Sequence, residues 1–201
     1  MTGRSDIVEA VVRALTIEIE ASGRHVHLTR EAVETLFGPG HQLTPAKELS
    51  QPGQYACAER VDVIGPKGSF TGVAVLGPER KACQVEVSAT DARTLGLTPP
   101  VRQSGDIQGS CPVTLRVGDK TVTLDQGLII AQRHIHLTPE DAKRLGVTDN
   151  QSVGIKCLTA RPAILEDTVV RVSDKFAAYI HLDYDEANAV GWHKGDRARL
   201  V

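Results

Sequence analysis

Arg24-His25-Val26-His27-Leu28-Thr29 returns 109 positions later as Arg133-His134-Ile135-His136-Leu137-Thr138. A match at five of six positions at that offset, about half the chain length of 201 residues, reads as an internal duplication, and a duplication decides the architecture before any local assignment. Each copy runs into a helical stretch, Glu31 to Phe37 in the first and Pro139 to Leu145 in the second. The second carries a full set of end signals: Thr138 as N-cap, Pro139 at the first helical position and Gly146 just past the last turn. A weaker correspondence sets Val85-Glu86-Val87 over Ile180-His181-Leu182, with Ala92 over Ala187 and Gly96 over Gly191. Glu86 and His181 therefore occupy equivalent places in the two halves.

Between these units the pattern is that of strands. Val61 and Val63 alternate with polar residues, Gly65-Pro66-Lys67-Gly68 supplies turn chemistry, and the apolar run resumes at Val73. Short strands, glycine and proline turns and brief helices predict a mainly β protein with short α-helices, built as two pseudo-symmetric small β-barrel domains. The expected division is an N-terminal amphipathic helix over 1–20, a first barrel half with its connector over 21–127 and a second barrel half over 128–201. Residues 105 to 127 read as the connector, carrying a strand-like stretch of their own. In the N-terminal segment Ile7, Val8, Val11, Val12 and Leu15 recur at helical spacing. That stripe suits either a helix packed on its own domain or a sister subunit, or one laid into a groove of another protein.

Composition removes several function classes. With 23 Lys and Arg against 25 Asp and Glu, and aromatic residues at 3%, the chain lacks both the basic excess and the stacking platforms of a nucleic-acid binder. No run of 18 apolar residues exists to cross a bilayer, and charges at Arg4, Asp6, Glu9 and Arg13 interrupt any secretory h-region, so a cytoplasmic location is expected. The four cysteines lie far apart and read as free buried thiols. Neither a Gly-x-Gly-x-x-Gly nor a P-loop pattern is present.

The histidines carry the chemistry. Alternate residues of a strand project to one face, so His25 and His27 point the same way, as do His134 and His136. Two imidazoles on one strand face suit a metal ion, and the repeat names the third ligand in each half: Glu86 for the first, His181 for the second. Three protein ligands with an open position describe a catalytic ion, and imidazole with carboxylate, without thiolate or thioether, favours zinc. Arg80 follows the Gly77-Pro78 turn and lies six residues before Glu86, where a guanidinium fork suits the oxygens of a phosphate. His41 and His193 fall outside both clusters and read as surface histidines.

These motifs resemble the phosphate propanoyltransferases, the PduL-type phosphotransacylases. The likeness runs from Arg24 to Asn188, through Gln51 to Ala56 (QPGQYA), the Gly-Pro-Lys-Gly turn, Leu76 to Gly96, Arg102-Gln103-Ser104-Gly105, Ala131 to Ala142 and His181 to Ala189. It implies an enzyme of two β-barrel domains that interconverts a short-chain acyl-CoA plus phosphate with acyl phosphate plus CoA, using two zinc ions between the domains. By the same resemblance His25, His27 and Glu86 would hold one zinc and His134, His136 and His181 the other. Arg80 would bind phosphate, while Ser22, Arg24, Lys67 and Asn188 would line the CoA pocket. The family further implies a homodimer, and in some members an N-terminal helix, here residues 5 to 16, that addresses the enzyme to the lumen of a bacterial microcompartment through shell or core proteins. Tyr184 stands where a small polar residue is usual, a difference that bears on the choice of acyl chain. Two other readings use the same ligands: a zinc-dependent thioesterase or hydrolase, and a non-catalytic metal-binding scaffold.

Overall fold

The computed structural model describes residues 3–201, which fold into two units. One comprises Gly23–Gln132; the other joins the N-terminal segment through Ser22 to Arg133–Val201. The elements in chain order are α1 (Gly3–Leu15), β1 (Ile17–Ser22), β2 (His25–His27), α2 (Arg30–Phe37), β3 (Pro45–Glu48), β4 (Tyr55–Ile64), β5 (Ser69–Gly77), β6 (Gln84–Val87), α3 (Ala89–Leu95) and β7 (Val101–Arg102). They continue with β8 (Cys111–Val117), β9 (Lys120–Ala131), β10 (His134–Leu137), α4 (Pro139–Leu145), β11 (Ser152–Leu158), β12 (Ile164–Val172), β13 (Tyr179–Asp183), α5 (Tyr184–Ala189) and β14 (Arg197–Leu200).

Both units close a ring of six strands. In the Gly23–Gln132 unit the order is β4-β5-β2-β6-β9-β8, and β8 returns to β4; β3 and β7 are added at the margins. In the other unit the ring is β1-β13-β10-β12-β11-β14. The two rings match strand for strand and in direction. β2 and β10 each run parallel to one neighbour (β5, β12) and antiparallel to the other (β6, β13), and those outer neighbours run parallel to β9 and β1 respectively. The mainly β, two-barrel architecture expected from the duplication is the observed one.

The correspondence is circularly permuted. The stave equivalent to β9 is β1, which comes from the N-terminus and not from the end of its own repeat. The stretch 105–127, which reads from sequence as a connector, supplies β8 and most of β9, two full members of the first ring. Closing each ring pairs every stave on both sides, which removes the exposed edges that a small open sheet would leave.

Each ring surrounds its own core. Val26, Val61, Val63, Val75, Val85, Leu115 and Leu128 fill the first, and Ile17, Ile19, Ile135, Ile155, Val170 and Ile180 the second. The four short helices behind the ligand strands start on side-chain caps: Thr29 accepts from the Ala32 amide, Ser88 from Asp91, Thr138 from Asp141, and Asp183 from Glu186 with a reciprocal capping box. Gly146 ends α4 in the left-handed conformation (φ 71°), as its place in sequence predicts. At the Gly65-Pro66-Lys67-Gly68 turn, a Cβ on Gly65 would stand 2.3 Å from the Leu95 carbonyl oxygen, so only glycine lets this turn pack on the end of α3. The α1 stripe is exposed: Ile7, Val8, Val11, Val12 and Leu15 keep 42–65% of their surface. Among the described residues no helix is long and apolar enough to cross a membrane.

Candidate metal centres

The duplicated His-x-His motifs form β2 and β10, and the third residue of each trio enters from the antiparallel neighbour. His25 stands opposite Glu86 in the β2–β6 register, and His134 opposite His181 in the β10–β13 register. The equivalence of Glu86 and His181 inferred from the repeat is thus a register equivalence. Within each trio the candidate ligand atoms lie within 4.8 Å of one another. No side chain from outside the duplicated strands is needed to complete either group.

In the first trio all three residues are buried. His25 Nδ1 donates to the Gly23 carbonyl oxygen at 2.8 Å and His27 Nδ1 to the Leu76 carbonyl at 3.2 Å, which fixes both tautomers and turns both Nε2 atoms toward Glu86. Those nitrogens lie 3.4 Å from Glu86 Oε2 and 3.9 Å from Oε1 respectively. Burial works against charge on His25, but the Glu86 carboxylate beside it outweighs that and raises its pKa. His27 goes the other way, down to about 3, because burial and then the neighbouring His25 and Arg80 disfavour its cation. Burial would raise the Glu86 pKa, yet the two imidazoles and the Ser104 hydroxyl hold it well below the carboxylate range. Glu86 is therefore an anion with a cation drawn to it, the electrostatic condition a divalent ion satisfies.

The second trio is all nitrogen. His136 Nδ1 lies 3.2 Å from His181 Nε2, and the three rings are 4.6–4.9 Å apart between centroids. Burial, reinforced by His134 and Arg171, lowers the His136 pKa to about 3, so this ring is neutral and offers a lone pair. Its Nε2 is buried without a hydrogen-bond partner among the described residues, a cost that an apolar lining does not remove. Behind His181, Glu20 on β1 places Oε2 3.5 Å from Nδ1, the kind of carboxylate backing that metal-ligating imidazoles use. Two donor sets, one N2O and one N3, both suit zinc.

Other residues picked out by sequence take up definite places. Arg80 Nη1 donates to Ser104 Oγ at 3.0 Å, and Ser104 donates to Glu86 Oε1 at 2.7 Å, so the arginine is one hydroxyl away from the first trio. Ser104 also lines a cleft of about 610 Å³ with Arg102, Gln103, Gly105, Asp106 and Gln132. Arg24 forks onto Asp91 (3.0 and 2.7 Å) with its guanidinium 4.1 Å above the Phe70 ring. Lys67 is exposed at its turn, with its amide donating to the Leu95 carbonyl. Ser22 ends β1 opposite Asp183, and Asn188 lies exposed in the last turn of α5. Ser22 and Asn188 thus belong to one unit, Arg24 and Lys67 to the other. His41 pairs with Glu59 at 2.8 Å, and His193 is surface-exposed.

Sequence reasoning gave no role to Gln84, Ser104 or Glu20. For Gln84 a signal existed, since it sits two residues before Glu86 on one strand and must share its face. Ser104 lay in a quoted motif without an assignment. Glu20 meets His181 across a parallel pairing of segments some 160 residues apart, for which no local pattern exists.

Comparison with known proteins places the chain in a family. Residues 18–193 match the family model described as phosphate propanoyltransferase. Among curated proteins, the chain is 54% identical over 203 aligned residues to a phosphate propanoyltransferase of Enterococcus faecalis, covering 98% of this chain and 96% of the other. It is 52% identical to one of Clostridioides difficile (98% and 94% covered) and 48% identical to one of Thermotoga maritima (92% and 89%).

Proposed function

The chain belongs to the phosphate propanoyltransferase family, a family of phosphate acyltransferases, and we propose that it converts a short-chain acyl-CoA and inorganic phosphate into acyl phosphate and free CoA, with a zinc ion held in each trio. His25, His27 and Glu86 would hold one ion and His134, His136 and His181 the other; when bound, zinc supplies Lewis acidity toward carbonyl and phosphoryl oxygens. The observation that carries the reading is the Arg80–Ser104–Glu86 chain, which ties a phosphate-type cation to a metal-type ligand group.

The protein's own groups then divide the work. Arg80 grips phosphate oxygens through charge-assisted contacts and aims the remaining oxygen at the thioester carbon. As the new C–O bond forms, the C–S bond breaks and CoA leaves as its thiolate. The proposed transfer is direct; of the four cysteines, Cys57 and Cys157 are poor acyl carriers, because burial pushes the Cys57 thiol up to about 11 and raises Cys157 as well, leaving both protonated. Ser22, Arg24, Lys67 and Asn188 are proposed to bind CoA. For α1 we propose docking to microcompartment shell or core proteins and residence in that lumen, a reading supported by its exposed apolar stripe.

The test is CoA release from propanoyl-CoA by metal-replete protein with and without phosphate. Transacylation requires release to depend on phosphate and to match acyl phosphate formed. Release without phosphate would instead identify a hydrolase, and no release in either case a binding scaffold.

A further inference from the structure

The first trio has a feature that neither the duplication nor the ligand set requires. Gln84, 2% exposed, is committed by every polar atom of its side chain. Its Nε2 donates to Glu86 Oε1 at 2.5 Å and to Ser104 Oγ at 2.9 Å, and its Oε1 accepts from the Gly105 amide at 2.7 Å. Because that backbone amide can only donate, it fixes which end of the carboxamide faces Glu86. Ser104 Oγ is equally committed, accepting from Gln84 and Arg80 and donating to Glu86. The two donors converge on one oxygen of Glu86, while Oε2 faces His25 Nε2.

We propose that Gln84 is a positioning residue, whose carboxamide locks the Glu86 carboxylate with Oε1 held by protein donors and Oε2 presented to the cation, and holds Ser104 where it fixes Arg80. A neutral donor suits this task. Lysine or arginine at 84 would neutralise Glu86 and compete with the ion, and glutamate would set acceptor against acceptor. Gln84 is thereby a common anchor for the metal ligand and for the phosphate-binding cation. The proposal rests on the zinc reading of the trio given above.

Zinc dissociation constants for the two sites, measured on full-length metal-free protein by chelator competition, test it in wild type, Gln84→Met and Gln84→Glu. Gln84→Glu keeps the side-chain volume and the acceptor for Gly105 but sets a second carboxylate against Glu86, so that the pair shares a proton that competes with the ion. Loss of ligand backing typically weakens metal binding 10–100-fold. Both variants are expected to weaken one constant by about that factor, leave the other within about twofold, and raise KM for phosphate more than KM for acyl-CoA. Ser104→Ala removes the shared hydroxyl and should reproduce the pattern if Gln84→Met does not fold. Two unchanged constants, or equal loss at both sites, in Gln84→Met and Ser104→Ala would overturn the proposal. Wild-type protein that binds no zinc would instead refute the zinc reading itself, and this proposal with it.

Discussion

Two N-terminal truncations that differ by seven residues should behave very differently. Were the five apolar side chains of α1 docked on the barrel, deleting them would cost on the order of 10 kcal/mol, at about 1.5–3 kcal/mol for each buried side chain. Each keeps 42–65% of its surface, and the polar ties across the junction include Thr16 Oγ1 to the Val12 carbonyl at 2.6 Å and Arg144 to the Ala14 carbonyl. Removing residues 1–15 is therefore expected to cost only about 1–2 kcal/mol, a fall in Tm of roughly 2–8 °C for a chain of this size, with acyl transfer intact because every ligand remains. Removing residues 1–22 takes away β1, with Ile17 and Ile19 (2% and 1% exposed) and its pairings to both β13 and β14. Losing two buried isoleucines alone costs about 2–5 kcal/mol each, and the ring is left open. Melting curves followed by circular dichroism, with acyl-transfer assays on the same samples, separate the cases. A 1–15 truncation that melts as early as the 1–22 truncation would refute the placement of α1 outside the core.

Arg80→Ala should raise KM for phosphate at least tenfold with a much smaller change for acyl-CoA, and Lys at 80 should restore only part of it, since one ammonium cannot reproduce a planar fork. Equal losses for both substrates in steady-state kinetics would make Arg80 structural. Burial alone would raise the Glu59 pKa, but the Thr44 amide and His41 hold it below its ordinary 4.5. A depressed carboxylate pKa stabilises the fold above the unfolded value and loses that contribution as pH falls through the folded one. Glu59→Ala should thus cost about 1–2 kcal/mol at pH 7 and flatten the acid limb of Tm against pH below about pH 5. Parallel acid limbs in mutant and wild type would dismiss the Glu59 contribution.

Much of the architecture could be read because the repeat is a statement about three dimensions. Once His25 and His134 are equivalent, the residues opposite them must be equivalent too, and the register sets Glu86 and His181 in those places. The caps at Thr138 and Gly146 were legible for a different reason, since they are local and chemical. The permutation was not. β1 has no nearby partner, and its parallel pairing with β13 depends on ring closure, which leaves no periodicity in sequence. The same holds for β9, whose outer half looks like a polar linker because only its Gly127–Ile129 segment is fully buried. The trio residues announced themselves by spacing, whereas Ser104 and Glu20 are joined to them by hydrogen bonds or ion contacts across distant segments.

The central claim is that the duplicated strands build two separate ion sites, both required for acyl transfer. Zinc per chain, measured by mass spectrometry on identically prepared wild type, His27→Ala and His134→Ala, tests it most directly. The account predicts about two ions in the wild type and about one in each variant, with neither variant turning over. Two ions retained in either variant together with normal turnover, or none in an active wild type, would contradict it.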